Sequence, residues 1–236
     1  MKEFLLNNYS AITKSVELIA ALSGTIYLRK TKNYPLKIFV QYLWLTVIVE
    51  WVGSYSMLLL NNYDYQWYIN LKNSVFCENR WLYNIYSLLT IGLLGIFYSD
   101  LLKTKSLKLI IRVVVVFYTL FSTCFYIFTD AFFIKGLPYD NILASIIVCL
   151  FVVFYFVELM KSEFILIYYK LPSFYISVAL LLWYLCVTPL FIFDAYFYDM
   201  NRDFIEFRAV LLLLINIFTY LCFAFGFWYS LKKSKQ

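Results

Sequence analysis

The chain has 236 residues, of which 64% are hydrophobic, 22% aromatic and only 14% charged. This composition excludes a water-soluble globule, because folding alone cannot hide so much apolar surface from water, and it favours lipid as the surrounding medium. The sequence contains no histidine. That excludes histidine-ligated haem and zinc, Ser-His nucleophile pairs and histidine proton relays. We therefore expect no metal, no cofactor and no nucleic-acid partner.

Seven apolar runs follow one another along the chain, each long enough to cross about 30 Å of hydrocarbon at about 1.5 Å per residue. The connections between them are short, and none is rich in glycine or serine. The sequence therefore predicts one all-α domain over residues 1–236, a polytopic transmembrane bundle. Its seven spans lie near residues 10–28, 37–60, 81–101, 107–128, 140–160, 173–197 and 207–230.

The charges between the spans predict how the bundle is oriented. Lysine and arginine concentrate in alternate connections and in the C-terminal tail KKSKQ, whereas the other connections hold most of the acids. Because basic loops remain in the cytoplasm, this asymmetry predicts an outside N-terminus and a cytoplasmic C-terminus. An odd number of spans agrees with that placement.

Two acids fall well inside predicted spans. Glu50 lies about 15 Å from the outer end of the second span, and Glu17 lies about 10 Å from the outer end of the first. A charged side chain at mid-membrane costs roughly 2.5 to 3.5 kcal/mol, so each acid needs a partner or a wet cavity. Because the two spans are antiparallel neighbours, we expect the carboxyl groups to reach similar depths.

Small and polar residues surround both acids at helical spacing, which is typical of faces that point into a bundle. One interpretation is a polar pocket that opens outward and serves ligand binding or proton relay. A structural interpretation pairs Lys14 with Glu17, and Glu50 with Thr46 or a tyrosine. The candidate site residues are Glu50, Glu17, Lys14, Thr46 and Asn84.

The remaining charged positions in or beside the spans lie near span ends, where water or headgroups can reach them. We interpret them as boundary residues: Asp100, Arg112, Asp130, Glu158, Asp194 and Arg208. The apolar loop segment FILIYY at 164–169 is too short to span and is predicted to lie along the inner membrane interface.

Four segments resemble small seven-span inner-membrane proteins of AT-rich bacteria. They are LRKTKNYPLK, LTVIVEWVG, WLYNIYSLL, and FVELMKSEF followed by LPSFYISVALLLWYL. The resemblance implies an integral protein of the bacterial cytoplasmic membrane that acts as an accessory or sensory partner of other proteins, and it implies no enzymatic activity.

Three functions are compatible with the sequence. The leading hypothesis is a non-enzymatic accessory or sensor protein that binds a small apolar ligand or a partner protein, with basic inner loops that meet a cytoplasmic protein or anionic lipid. The alternative is a small transporter or proton-coupled channel that uses Glu17 and Glu50. A lipid-modifying enzyme would need a nucleophile or metal site at the interface, and the sequence contains no such motif. The oligomeric state stays open.

Overall fold

A computed structural model describes residues 2–31, 33–59, 63–133, 139–197 and 202–233, without the side chains of residues 2–4, 194–197 and 202–203. Within these ranges the chain is helical and contains no strand. Ten α-helices occur there: α1 (Lys2–Asn7), α2 (Tyr9–Lys30), α3 (Tyr34–Gly53), α4 (Tyr55–Leu58), α5 (Gln66–Lys72), α6 (Arg80–Leu101), α7 (Lys105–Phe128), α8 (Tyr139–Met160), α9 (Pro172–Phe197) and α10 (Arg202–Lys233).

Seven of these helices are long and apolar enough to cross a membrane, so the predicted fold is confirmed. They are α2, α3 with its extension α4, and α6 to α10. Each helix starts one to five residues before the predicted span. The apolar pattern marks only the hydrocarbon-facing part, whereas hydrogen bonding continues into the flanking polar residues. At the start of α3, for example, the Asn33 side chain accepts a hydrogen bond from the Leu36 amide.

Successive spanning helices run in opposite directions, which separates the connections into two sets. We call the end with the connections at residues 31–33, 102–104 and 161–171 the basic end, and the opposite end the acidic end. At the basic end, a 3-10 helical segment at Glu163–Lys170 joins α8 to α9. All of its residues are exposed, and those between Glu163 and Lys170 are apolar or aromatic. This segment contains the FILIYY sequence.

Six of the spanning helices pack in a closed ring. The neighbours in order are α2, α3, α6, α8, α9 and α10, and α10 packs again on α2. Helix α7 lies outside this ring against α6 and α8, and it is the least buried of the seven. The ring therefore encloses one shared interior, and α7 is a peripheral helix.

Side-chain hydrogen bonds link the helices of the ring across the interior. Tyr98 and Ser177 are 3.0 Å apart between α6 and α9, and Tyr155 and Ser173 are 2.8 Å apart between α8 and α9. The Trp183 indole donates to Asn216 at 2.7 Å between α9 and α10. In lipid such bonds complement close packing, because helices gain no hydrophobic stabilisation from contact with one another.

Aromatic rings fill the interior near the basic end. Phe39 lies five residues into α3, about 7.5 Å along the helix, and its ring contacts Phe97 and Phe223 at centroid distances of 5.2 and 5.1 Å. Phe227 and Tyr27 extend the contact toward α2. We call these five residues the aromatic layer. All five are buried, and the four phenylalanines are fully so.

Candidate functional site

Glu17 projects from α2 into the ring. Its side chain is 3% exposed, and its Oε2 atom has no hydrogen-bond partner among the described residues. Thr13, one turn earlier on the same face, is also buried, and its Oγ1 likewise has no partner there. The predicted inward-facing stripe of α2 is thus found inside the bundle, with Ala20 and Gly24 completing it.

Glu50 lies on α3 at a depth similar to that of Glu17, and the two carboxyl groups interact electrostatically. The hydroxyl of Tyr83, from α6, donates to Glu50 Oε1 at 3.0 Å. Of the partners considered from sequence, the tyrosine is the one found. Glu50 is half-buried, so it is the more accessible of the two acids.

Lys14 lies one turn nearer the acidic end than Glu17. Its Nζ donates to Ser54 Oγ and lies 5.5 Å from the ring centroid of Trp51. Within the described part of the chain, no ion pair joins Lys14 to Glu17. Lys14 therefore links α2 to α3 at the mouth of the site, and its charge acts on the Glu17 carboxyl group only at longer range.

Thr46 belongs to a cluster of hydroxyl groups on the basic-end side of the two acids. Its Oγ1 donates to the Tyr42 carbonyl at 3.1 Å and lies 2.8 Å from the Tyr86 hydroxyl. The Tyr42 hydroxyl also lies close to the hydroxyls of Tyr86 and of Tyr220 in α10. Tyr220 in turn lies within electrostatic range of Glu17 and Glu50. We call Tyr42, Thr46, Tyr86 and Tyr220 the hydroxyl cluster.

The structure places Asn84 away from this group. Its Nδ2 donates to the carbonyls of Ala131 and Phe132 at 3.1 and 3.0 Å. Asn84 therefore fastens α6 to the segment that follows α7. Four of the five candidate residues lie together around the contact of α2 and α3, and Asn84 does not.

A cleft of about 480 Å³ opens at the acidic end beside this group. Tyr83 is one of the residues that line the cleft, and its hydroxyl donates to Glu50. Asn79 donates to the Gly53 carbonyl at 2.9 Å, which holds the 76–80 segment against the end of α3. The cleft is lined by Ser56, Met57, Cys77, Glu78, Asn79, Arg80 and Tyr83.

Sequence reasoning missed the tyrosines of the site. Tyr83, Tyr42, Tyr86 and Tyr220 are four of 23 tyrosines in the chain, so tyrosine as a residue type carries no signal here. One weak signal exists for Tyr83. A Cβ atom at Gly53 would lie 3.2 Å from the Tyr83 hydroxyl, so this glycine marks a close approach by a large side chain.

Comparison with protein-family models, with curated proteins and with solved structures finds no match. In the described part of the chain, no group of three or more cysteine, aspartate or glutamate side chains is arranged to hold a metal ion. The chemistry available at the site is therefore inferred from the side chains that form it. Carboxyl groups, hydroxyls and aromatic rings allow hydrogen bonding and apolar contact.

Proposed function

We propose that this protein is a non-enzymatic sensor or accessory protein of a cytoplasmic membrane, which binds a small apolar or weakly polar ligand. The ligand enters at the acidic end, which faces outward, and it lies between the cleft and Glu50. The observation that supports this most directly is the contact made by Tyr83. One residue both lines an open cleft and donates a hydrogen bond to a half-buried carboxyl group, so an occupant of the cleft can change the Glu50 contact.

The dimensions and chemistry of the cleft favour such a ligand. A volume of about 480 Å³ lies within the range of small-molecule sites, which are mostly apolar with a few polar groups. The cleft offers Met57 and the Tyr83 ring for apolar contact and Asn79 for hydrogen bonding. The charges of Glu78 and Arg80 already neutralise each other in an ion pair, so an uncharged ligand fits better than an ion.

The aromatic layer favours binding over transport. The two acids and the hydroxyl cluster lie on the acidic-end side of Phe39, Phe97 and Phe223, which are packed against one another. A solute or hydrated ion would have to move several fully buried rings to pass. A signal, in contrast, needs only a change in helix contacts.

The same two acids keep a proton-coupled transporter as the second candidate. Glu17 and Glu50 interact electrostatically, and paired buried carboxyl groups are common in proton pathways. Flux measurements separate the two functions. Liposomes with the wild-type protein are expected to show no solute or proton flux, and flux that Glu50→Gln abolishes would support transport instead.

Ligand binding is tested by screening small molecules for thermal stabilisation of the protein in nanodiscs. A compound that binds the site should lose roughly five- to tenfold in affinity in Tyr83→Phe. This variant loses the hydrogen bond that holds Glu50 beside the cleft, and one hydrogen bond is worth about 1 kcal/mol. The matched control is Tyr126→Phe, which removes a similar bond to Asp140 at 2.8 Å between α7 and α8. Equal losses in both variants would contradict binding at the cleft.

A further inference from the structure

The peripheral helix α7 carries a row of cations on its exposed side. Lys105, Lys108 and Arg112 are separated by three and four residues, so they lie on one face of the helix. Lys105 and Arg112 are exposed and Lys108 is half-buried. Among the described residues, none of the three has a hydrogen-bond or ion-pair partner.

The geometry of α7 directs these cations toward one level. Arg112 lies seven residues after Lys105, about 10 Å deeper along the axis. Every Cα–Cβ bond of an α-helix tilts toward the N-terminus, which for α7 is the basic end. This tilt lets the long side chains of Lys108 and Arg112 extend toward Lys105 and bring their charged groups to the depth of the lipid headgroups.

Next to the cations, the exposed side of α7 is mostly apolar and bulky. Its large side chains are more than half exposed, and they continue from the cations toward the acidic end: Leu109 63%, Val113 58%, Val116 58%, Phe117 58% and Leu120 61%. Helices that dock on one another in lipid favour glycine, alanine and serine at the contact, because these let the backbones approach. Residues 109–120 of α7 include no glycine, alanine or serine. This part of the helix therefore suits flexible acyl chains better than a second helix.

We propose that this face of α7 binds one anionic phospholipid. The phosphate is held by Lys105, Lys108 and Arg112, and the acyl chains lie on Leu109, Val113 and Val116. Three converging cations without protein partners complement a phosphate, whereas a zwitterionic lipid would add a cation of its own. The site lies outside the helix ring, so it does not depend on the function proposed for the cleft.

The test compares lipid binding to the full-length protein by native mass spectrometry in detergent. The probes are phosphatidylglycerol and phosphatidylcholine with identical acyl chains. Wild-type protein is expected to retain phosphatidylglycerol on the order of a hundredfold better than phosphatidylcholine, because each of the three cations contributes about 1 kcal/mol. Arg112→Gln should reduce this preference by roughly fivefold, and the triple variant K105Q/K108Q/R112Q should remove it.

The matched control removes three other cations at the same end, in the variant K30Q/K37Q/K161Q. These lysines are exposed, and the change in net charge is the same, so the preference should persist. Equal preference in the wild-type protein and the α7 triple variant would overturn the proposal. So would oxidative crosslinking of two copies through Cys124, which is exposed on α7, because a second copy would then cover this face.

Discussion

At the scale of single residues, the structure assigns a local role to an acid that sequence analysis placed at a span boundary. The Glu158 carboxyl group, near the end of α8, accepts hydrogen bonds from the backbone amides of Lys103 and Thr104. These two amides lie in the turn between α6 and α7. Glu158 thus fastens the peripheral helix to the ring at the basic end.

We expect Glu158→Gln to destabilise the protein by about 1 to 3 kcal/mol. The glutamine side chain is uncharged and has one acceptor oxygen, whereas the glutamate accepts from both backbone amides with a charged carboxylate. Glu163→Gln is the control, since Glu163 is exposed at the same end and the change in charge is identical. Unfolding in mixed micelles measures both variants. A Glu163→Gln effect as large as that of Glu158→Gln would show that net charge, rather than the turn contact, matters.

Residue-scale prediction from sequence is possible where an energetic rule applies. Glu17 and Glu50 stand out because an acid in an apolar run is costly and rare, and the structure brings their carboxyl groups within electrostatic range of each other. Their role as a site stays a prediction. No comparable energetic rule predicts where the Asn84 side chain lies. An amide can satisfy itself on any nearby carbonyl, and here it binds those of Ala131 and Phe132, which only the fold brings within reach.

At the scale of helices, a comparison of two glycines shows where helices pack closely and where they do not. A Cβ atom at Gly24 would lie 2.6 Å from Val40 Cγ2 and 3.1 Å from the Phe227 ring, so α2, α3 and α10 meet at this point. A Cβ at Gly92 of α6 would have no atom within 4 Å. The two positions differ in packing alone, since both are helical.

Gly24→Ala is therefore expected to destabilise the bundle by about 1 to 3 kcal/mol, the usual cost of overpacking. Gly92→Ala should be neutral or stabilising by up to about 1 kcal/mol, because alanine favours helix more than glycine does. Equilibrium unfolding of both variants in the same micelles tests the difference. Equal values would mean that the contact of the three helices is not tight.

Helix positions followed from the sequence because membrane thickness sets the length of an apolar run. The order in which the helices pack against one another did not follow from the sequence. Nothing in the hydropathy of the 107–128 span distinguishes it from its neighbours, yet α7 is the helix left outside the ring. Its place depends on side-chain fits such as the 2.8 Å contact between Ser87 and Tyr118, which a pattern of apolar residues does not encode.

At the scale of the whole molecule, the proposed orientation sets which end meets the outside. The acidic end carries the cleft with the half-buried Cys77, and the basic end carries the exposed Glu163–Lys170 segment. The positive-inside rule favours the acidic end outside. The proposed ligand would then come from outside the cell.

A membrane-impermeant maleimide tests this orientation in intact cells. It should label Cys77 without permeabilisation, and it should label Ser162→Cys, introduced into a variant without Cys77, only after permeabilisation. Cys124 and Cys186 are exposed within apolar helices, so lipid shields them from a water-soluble reagent. The reverse labelling pattern would invert the bundle and place the cleft in the cytoplasm.

The contact between α2 and α10 also determines when the fold can be completed during synthesis. Because the first spanning helix packs on the last, a nascent chain has no partner for this side of α2 until α10 leaves the ribosome and enters the bilayer. During that interval Glu17 has no Tyr220 beside it, and lipid or an insertion factor must cover it. A chain that stops before residue 202 would leave this side of α2 without its helix partner.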